Sequence, residues 1–299
     1  MLRTATLITL VAAAFGLAAC DSLTSPADQA RVTVLLTDAP HPYLESAVVE
    51  IGRVEIIPAG GPPMVIATEG GTYDLLKLQD GVTAELGSEY IEPGRYLQLR
   101  MIVEKATITL KGDYEFTDGS KERDIKVPSG AQTGIKVNLQ GVDDYGAGVE
   151  IRPGETFLVV DFDVFQNFVM QGDPDTAAGI KDFLFTPTLR AVVEDVAGSI
   201  AGEVTAPDDV DTEGLVVTAT PADAENGEPV ATTLVKEDGT FKIHFVAPGS
   251  YDVTVAFPID SDTGEREAEW DGYVATVVSV EVTPSEDVTD IEVEISLED

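Results

Sequence analysis

Carboxylates are the chemistry this chain has most of: 54 Asp and Glu against 18 Lys and Arg in 299 residues. Asp161 and Asp163 lie two apart in the run Thr156–Phe165, with Val160, Phe162 and Val164 between and beside them. On a strand that spacing puts both acids on one face. If the face is buried, two like charges need a cation or a proton between them. If it meets water, they are the polar side of a half-buried strand, as alternation in antiparallel sheets commonly produces. Asp260 and Asp262, with Glu265 and Asp271 beyond, form a second oxygen-rich stretch. Calcium suits such ligands better than zinc does, and these four, Asp161, Asp163, Asp260 and Asp262, are the candidate metal ligands. EF-hand spacing is not met, because Glu265 stands where that loop needs Gly. No cofactor is otherwise called for. Asp38 precedes Ala39-Pro40-His41-Pro42 and is read as a turn-capping acid that accepts backbone N–H groups, with a ligand-contacting acid as the alternative. Trp270 and Tyr273 are the candidate ligand-contacting aromatics: either a platform for a sugar ring or an edge pair packed on a sheet.

Several kinds of chemistry lack their residues. Two His and one Cys leave almost nothing for zinc clusters, His-based catalysis or disulfides. G-x-S-x-G, H-E-x-x-H, the P-loop and G-x-G-x-x-G are all missing from the sequence. Among 54 acids some pair always falls at glycosidase distance, so carboxylate pairs alone indicate nothing. No catalytic residue is assigned, and the protein is not expected to be an enzyme. A net charge of −36 repels phosphate backbones, which excludes a general nucleic-acid binder. Such acidity fits either solubility in a saline medium or a surface that concentrates cations.

These residues must be positioned by strands. From Arg31 onward apolar residues recur at period two rather than 3.6. Val32, Val34 and Leu36 alternate with polar or outward positions, and the pattern repeats around a bend at Gly52-Arg53. It continues through Tyr96–Val103, Ala106–Lys111, Ile135–Leu139, Thr156–Phe165 and Leu184–Val193. Pro93-Gly94 and Pro153-Gly154 supply type II turns, Pro fixing φ and Gly accepting a positive one. Helical stretches are limited to Tyr73–Leu78 and Asp163–Met170. A second block of about seven strands, from Gly198 to Leu297, has the turn spacing of an antiparallel sandwich. The fold class expected is all-β, with two antiparallel sandwich-like domains and a short, stiff join near Ala191–Ala197.

The first twenty residues read as an address. Arg3 is followed by an apolar run from Ala5 to Phe15, too short to span a bilayer, and then by small residues before the only cysteine. Leu17-Ala18-Ala19-Cys20 resembles the bacterial lipobox, which implies cleavage after Ala19 and lipidation of Cys20. Residues Asp21 to Ala30 would then be a tether. Attachment would come from acyl chains, each buried CH₂ contributing about 0.8 kcal/mol, rather than from a span.

Two family resemblances follow. Residues 31–194 resemble DUF4382, a bacterial domain of unknown function. The likeness rests on Val32-Thr-Val-Leu-Leu-Thr-Asp-Ala-Pro40, on Tyr73–Gly81 with Pro93–Arg100, and on Val159-Val-Asp-Phe-Asp-Val164 with Phe185-Thr-Pro-Thr-Leu-Arg190. It implies an exported envelope lipoprotein of β architecture and assigns no chemistry. Residues 197–299 resemble a carboxypeptidase regulatory-like domain, a transthyretin-type sandwich, through Gly198–Val204, Glu237–Phe241 and Ala247–Val255. That resemblance implies an accessory module and, through similar folds in starch-binding domains, carbohydrate binding. The domain plan is therefore a signal at 1–19, the lipidated Cys20 and tether at 20–30, and the two β domains at 31–194 and 197–299. The function expected is a lipid-anchored, extracytoplasmic envelope protein with a structural or binding role. The alternative is carbohydrate binding by the second sandwich. Its partners would be the membrane, through the lipid, and a glycan or an envelope protein.

Overall fold

The structure, a computed structural model, describes residues 29–128, 134–140, 148–174, 179–224, 227–259 and 266–298. It is almost all β. The first unit opens with β1 (Ala30–Thr37), β2 (Leu44–Pro58), β3 (Met64–Ala67), β4 (Gly71–Asp74) and β5 (Ala84–Ile91). It continues with β6 (Gly94–Leu110), β7 (Glu122–Ile125), β8 (Ile135–Gln140), β9 (Val149–Ile151) and β10 (Gly154–Asp161). One helical turn, α1 (Val164–Asn167), leads to β11 (Phe168–Asp173), β12 (Gly179–Phe185) and β13 (Arg190–Val193).

Eight of these strands form the path β3-β2-β6-β8-β13-β10-β1-β5, with β4, β7 and β9 attached to its long members. The two ends of the path approach each other. A methyl group added at Gly87 of β5 would lie 2.7 Å from the Cβ of Ala67 of β3. The sheet thus curls toward a barrel around Val32, Val34, Leu36, Val49, Leu99, Met101, Val137, Leu158 and Val160. Alternation explains this filling, because every second residue of β1 and β2 points inward.

Several expectations are modified. β1–β10 and β8–β13 pair in parallel, so the first sheet is mixed rather than purely antiparallel. The bend at Gly52-Arg53 is present as register shifts where β2 meets β6. The predicted strand Leu184–Val193 is two strands, because Pro187 has no N–H for a ladder. There Asn167, fully buried, accepts from the backbone of Thr186 and Thr188 and pins the break. The run through Phe165 likewise stops early, β10 ending at Asp161.

The second unit has a core of its own, including Ile200, Val217, Phe241, Tyr251, Val253 and Val293. Its strands are β14 (Gly198–Thr205), β15 (Val216–Pro221), β16 (Ala231–Leu234), β17 (Thr240–Val246) and β18 (Gly249–Ala256), then β19 (Tyr273–Ala275), β20 (Val278–Val282) and β21 (Asp287–Leu297). They form two four-stranded sheets, β17-β14-β21-β19 and β16-β15-β18-β20. All pairs but β14–β21 are antiparallel.

Candidate functional site

The densest polar chemistry among the described residues lies where the two units meet. β1 and β10 run side by side in the same direction and deliver Asp38 and Asp161 to one place. Just before Asp38, Thr37 anchors the strand end by donating its hydroxyl to the carbonyls of Leu78 (3.1 Å) and Val82 (3.0 Å). Past Asp161, the backbone turns at Asp163, whose φ of 45° is left-handed. Asp tolerates that conformation better than most residues. The Asp163 carboxylate then caps α1, accepting from the Gln166 N–H at 3.1 Å.

The solvated reading of Asp161 and Asp163 does not hold, since both are buried, at 6% and 2% exposure. Nor do they share a strand face, because the chain leaves the strand between them. The cation that a buried pair requires is present as a side chain. Arg190 is Asp161's cross-strand partner in β13, and its guanidinium pairs with the Asp161 carboxylate. Asp161 also accepts from the Asp163 N–H at 3.1 Å. Asp38, read as a local turn cap, keeps a local backbone bond from Ala39 and accepts in addition from the N–H of Val164, 126 residues away, at 2.8 Å.

Three buried carboxyl groups and one guanidinium do not balance. Burial raises Asp38 well above the usual carboxylate range, and the neighbouring Asp161 adds to this against the opposing bond from Val164. Burial, then Asp161, pushes Asp163 up to about 6, while bonds from Gln166 and the charge of Arg190 pull the other way.

The second unit completes the cluster. Thr232 of β16 donates its hydroxyl to the Asp163 carboxylate, at 3.0 and 3.2 Å from its two oxygens. Arg190 donates to the carbonyls of Phe245 (2.6 Å) and His244 (3.1 Å) in β17. Phe245 holds a φ of 51°, a genuine outlier for a bulky aromatic residue. That conformation sits at one of the two carbonyls that receive Arg190, which ties the strain to the junction. Beside these bonds an apolar contact joins Val159 and Val192 to Ala247, with Leu35 and Phe245 packed on it. At the rim Lys236 pairs with Asp80 at 2.9 Å, and Gly81 is pressed against the His244 ring. A cavity of about 20 Å³ lies among Asp38, Asp161, Arg190, Thr232 and His244, room for about one water molecule. Two polar atoms in its lining residues, Asp38 Oδ2 and Arg190 Nε, are buried without a hydrogen-bond partner.

Five of the six oxygens of Asp38, Asp161 and Asp163 accept bonds from the chain itself. The arrangement fastens chain segments together: β1, β10, α1 and β13 to one another, and all of them to β16 and β17. Among the described residues no group of three or more His, Cys, Asp or Glu is arranged to hold a metal ion. Asp260 and Asp262 lie outside the described residues, as does Cys20.

Trp270 is 8% exposed, packed on Phe257 (5.2 Å between centroids) with the Tyr273 ring at its edge (5.9 Å). Its ring therefore belongs to the second core, and Tyr273 is half-buried beside it. The two histidines are not brought together. His41 is buried among Tyr43, Phe165 and Phe183 and accepts from the Tyr43 N–H, while His244 lies at the junction. Burial drives His41 down to about 3, so its ring is neutral.

Sequence reasoning missed Arg190, Thr232 and the carbonyls of His244 and Phe245. Arg190 carried a signal: it closes the stretch Phe185–Arg190, and a buried acid pair demands a cation. Thr232 and the two carbonyls carried none.

Residues 29–187 match the family described as "Domain of unknown function (DUF4382)". No curated protein matches the chain. Among solved structures the chain is similar to the TIE protein of Bacillus anthracis, at 12% identity and a TM-score of 0.23, covering 88% of this chain and 40% of that one. It is similar also to GBS52, the minor pilin of Streptococcus agalactiae, at 12% identity, a TM-score of 0.25 and coverage of 90% and 96%. A third is the shaft pilin SpaA of Lactobacillus rhamnosus GG, at 10% identity, a TM-score of 0.23 and coverage of 90% and 98%. No helix among the described residues is long and apolar enough to cross a membrane.

Proposed function

The chain belongs to the DUF4382 family through residues 29–187, and since that family's description assigns no activity, we propose from the geometry that it is a non-catalytic structural protein of the bacterial cell envelope. In this reading Cys20 carries the lipid that attaches it, residues 31–194 are the body, and residues 197–299 are a carboxypeptidase regulatory-like module held at a set angle to it.

One observation carries the structural role. The buried charges at the junction are spent on joining the units, Arg190 bonding Asp161 on one side and two carbonyls of β17 on the other. Bending the joint strips the buried Arg190 guanidinium of those carbonyls and the Asp163 carboxylate of the Thr232 hydroxyl, and hydrogen bonds to charged groups contribute about 1.5–3 kcal/mol each, so the joint resists bending. An arrangement built for turnover would instead leave a carboxylate facing a substrate-sized cleft, and the cavity here is about 20 Å³.

The test is cell fractionation together with a distance measurement. Wild-type protein should sediment with membranes and Cys20→Ala should not, with processing blocked by globomycin. Spin labels at exposed Glu50 and Glu281, one in each unit, should give a single narrow distance distribution in the purified full chain. Membrane attachment that survives Cys20→Ala refutes the anchor, and a broad distribution refutes the rigid joint.

A further inference from the structure

The end of the first unit where β1 begins is defined by pairing register. Ala30 pairs with Gly154 and Ile91, Gly94 pairs with Ile151, and Pro58 pairs with Tyr96. Three exposed turns therefore meet at one rim: Ala59–Pro63, Glu92–Pro93 and Arg152–Pro153. Between them they contain one acid, Glu92, and one base, Arg152. The strand ends behind them add Arg31, Arg95, Glu89, Glu150 and Glu155. The connection that leaves β8 at Gln140 and returns at Gly148 beside Tyr96 adds Asp143 and Asp144 to the sequence at this end, three bases against six acids in all, so the rim is mildly acidic. Tyr90, opposite Arg31 in the register, is 55% exposed there.

The rest of the molecule is far more anionic. Residues 198–299 hold 25 Asp and Glu against 3 Lys and Arg. They join the first unit near the other ends of β1 and β10, where Asp38, Asp161 and Arg190 lie. That junction is seven residues along β1 from Ala30, or about 23 Å at strand rise.

Resting on the reading that Cys20 is lipidated, we propose that this rim is the face laid against the lipid surface, with the second unit directed away from it. Cys20 precedes Ala30 by ten residues. Covalent geometry limits such a segment to at most about 36 Å, so the rim is the part of the unit held closest to the anchor. An anionic bilayer repels a carboxylate-rich surface, and of the two ends the rim approaches it at far lower cost than the second unit, with its 25 acids against 3 bases. Tyr90 supplies the amphipathic ring that settles at head-group depth, and the glycines and prolines of Ala59–Pro63 bring no charge to desolvate.

The experiment uses the full chain purified with its lipid and bound to vesicles of phosphatidylethanolamine and phosphatidylglycerol, with and without brominated acyl chains. Mass spectrometry first establishes the diacylglyceryl adduct on Cys20. The wild type reports through Trp270, its only tryptophan, and Tyr90→Trp adds an indole at an exposed position that tolerates it. The emission added by Tyr90→Trp should be quenched on brominated relative to unbrominated vesicles, as for an interfacial ring. Trp270 emission in the wild type should not change. Lipidated Tyr90→Trp protein that is quenched no more than Trp270 overturns the orientation while leaving the anchor intact. A mature chain without lipid on Cys20 overturns the anchor and this orientation with it.

Discussion

Arg190→Met is the perturbation that most directly probes how the molecule is held together. Methionine keeps much of the stem's volume and removes the guanidinium, leaving the Asp161 carboxylate buried without its cation. The Arg190 and Asp161 side chains are 14% and 8% exposed, so water does not readily replace the lost partner. Removing one member of such a buried pair costs about 3–5 kcal/mol. Two carbonyl acceptors in β17, on Phe245 and His244, also lose their donor, each such bond contributing about 1 kcal/mol or somewhat more. A total of about 5–7 kcal/mol is a large share of the 5–15 kcal/mol that stabilises a typical domain. Urea unfolding of the full chain at pH 7, followed by far-ultraviolet circular dichroism, should show this as a lowered midpoint. The companion variant Arg190→Met/Asp161→Asn removes both charges, and since exchanging a buried ion pair for neutral groups is often nearly neutral, it should recover about half the loss or more. A loss below about 1 kcal/mol in the single variant, or a double variant no more stable than the single one, refutes the view that the buried pair and its carbonyl bonds stabilise the fold.

Two further predictions concern pH, and they have opposite signs. Asp163 has a folded-state pKa of about 6, raised from 3.8, so its favourable contribution is complete below pH 3.8 and is lost as pH rises through 6. Asp163→Asn should remove that decline, worth at most about 3 kcal/mol, seen as a flatter stability profile between pH 4 and 6 in urea titrations. His41 is driven from 6.5 down to about 3, so its contribution is present above pH 6.5 and is lost as pH falls toward 3. His41→Asn, whose side-chain carbonyl can still accept from the Tyr43 N–H, should show a shallower fall in stability on acidification, the difference approaching about 4 kcal/mol near pH 3. Profiles that keep the wild-type slope in either variant would show that these groups do not control the pH response.

Much of the architecture was legible because a strand's period of two is written directly into the order of residues. Val32, Val34 and Leu36 declare an inward face whatever their partners are, and Pro93-Gly94 marks a turn by its own φ preferences. The short helical pieces at Leu75–Lys77 and Val164–Asn167 fall inside the two predicted stretches for the same local reason. Pairing direction was not legible. Whether β1 lies parallel to β10 depends on where the chain comes back beside β1 124 residues later, and alternation reads identically in either direction. Burial of polar residues was similarly hidden: Asp161 and Asp163 have the spacing of a solvated face, and what removes them from water is a strand end closed over by another unit.

The order of residues by itself determined the β class, the near-absence of helix, the two blocks and the strong negative charge, since all of these are sums of local preferences and composition. Only the tertiary structure decided that Asp38, Asp161 and Asp163 converge, that Arg190 serves as their cation, and that Thr232 and the carbonyls of His244 and Phe245 complete the set. Such a cluster arises from contacts between residues up to 126 positions apart, and a charge's surroundings are set by the segments folded around it rather than by its neighbours along the chain.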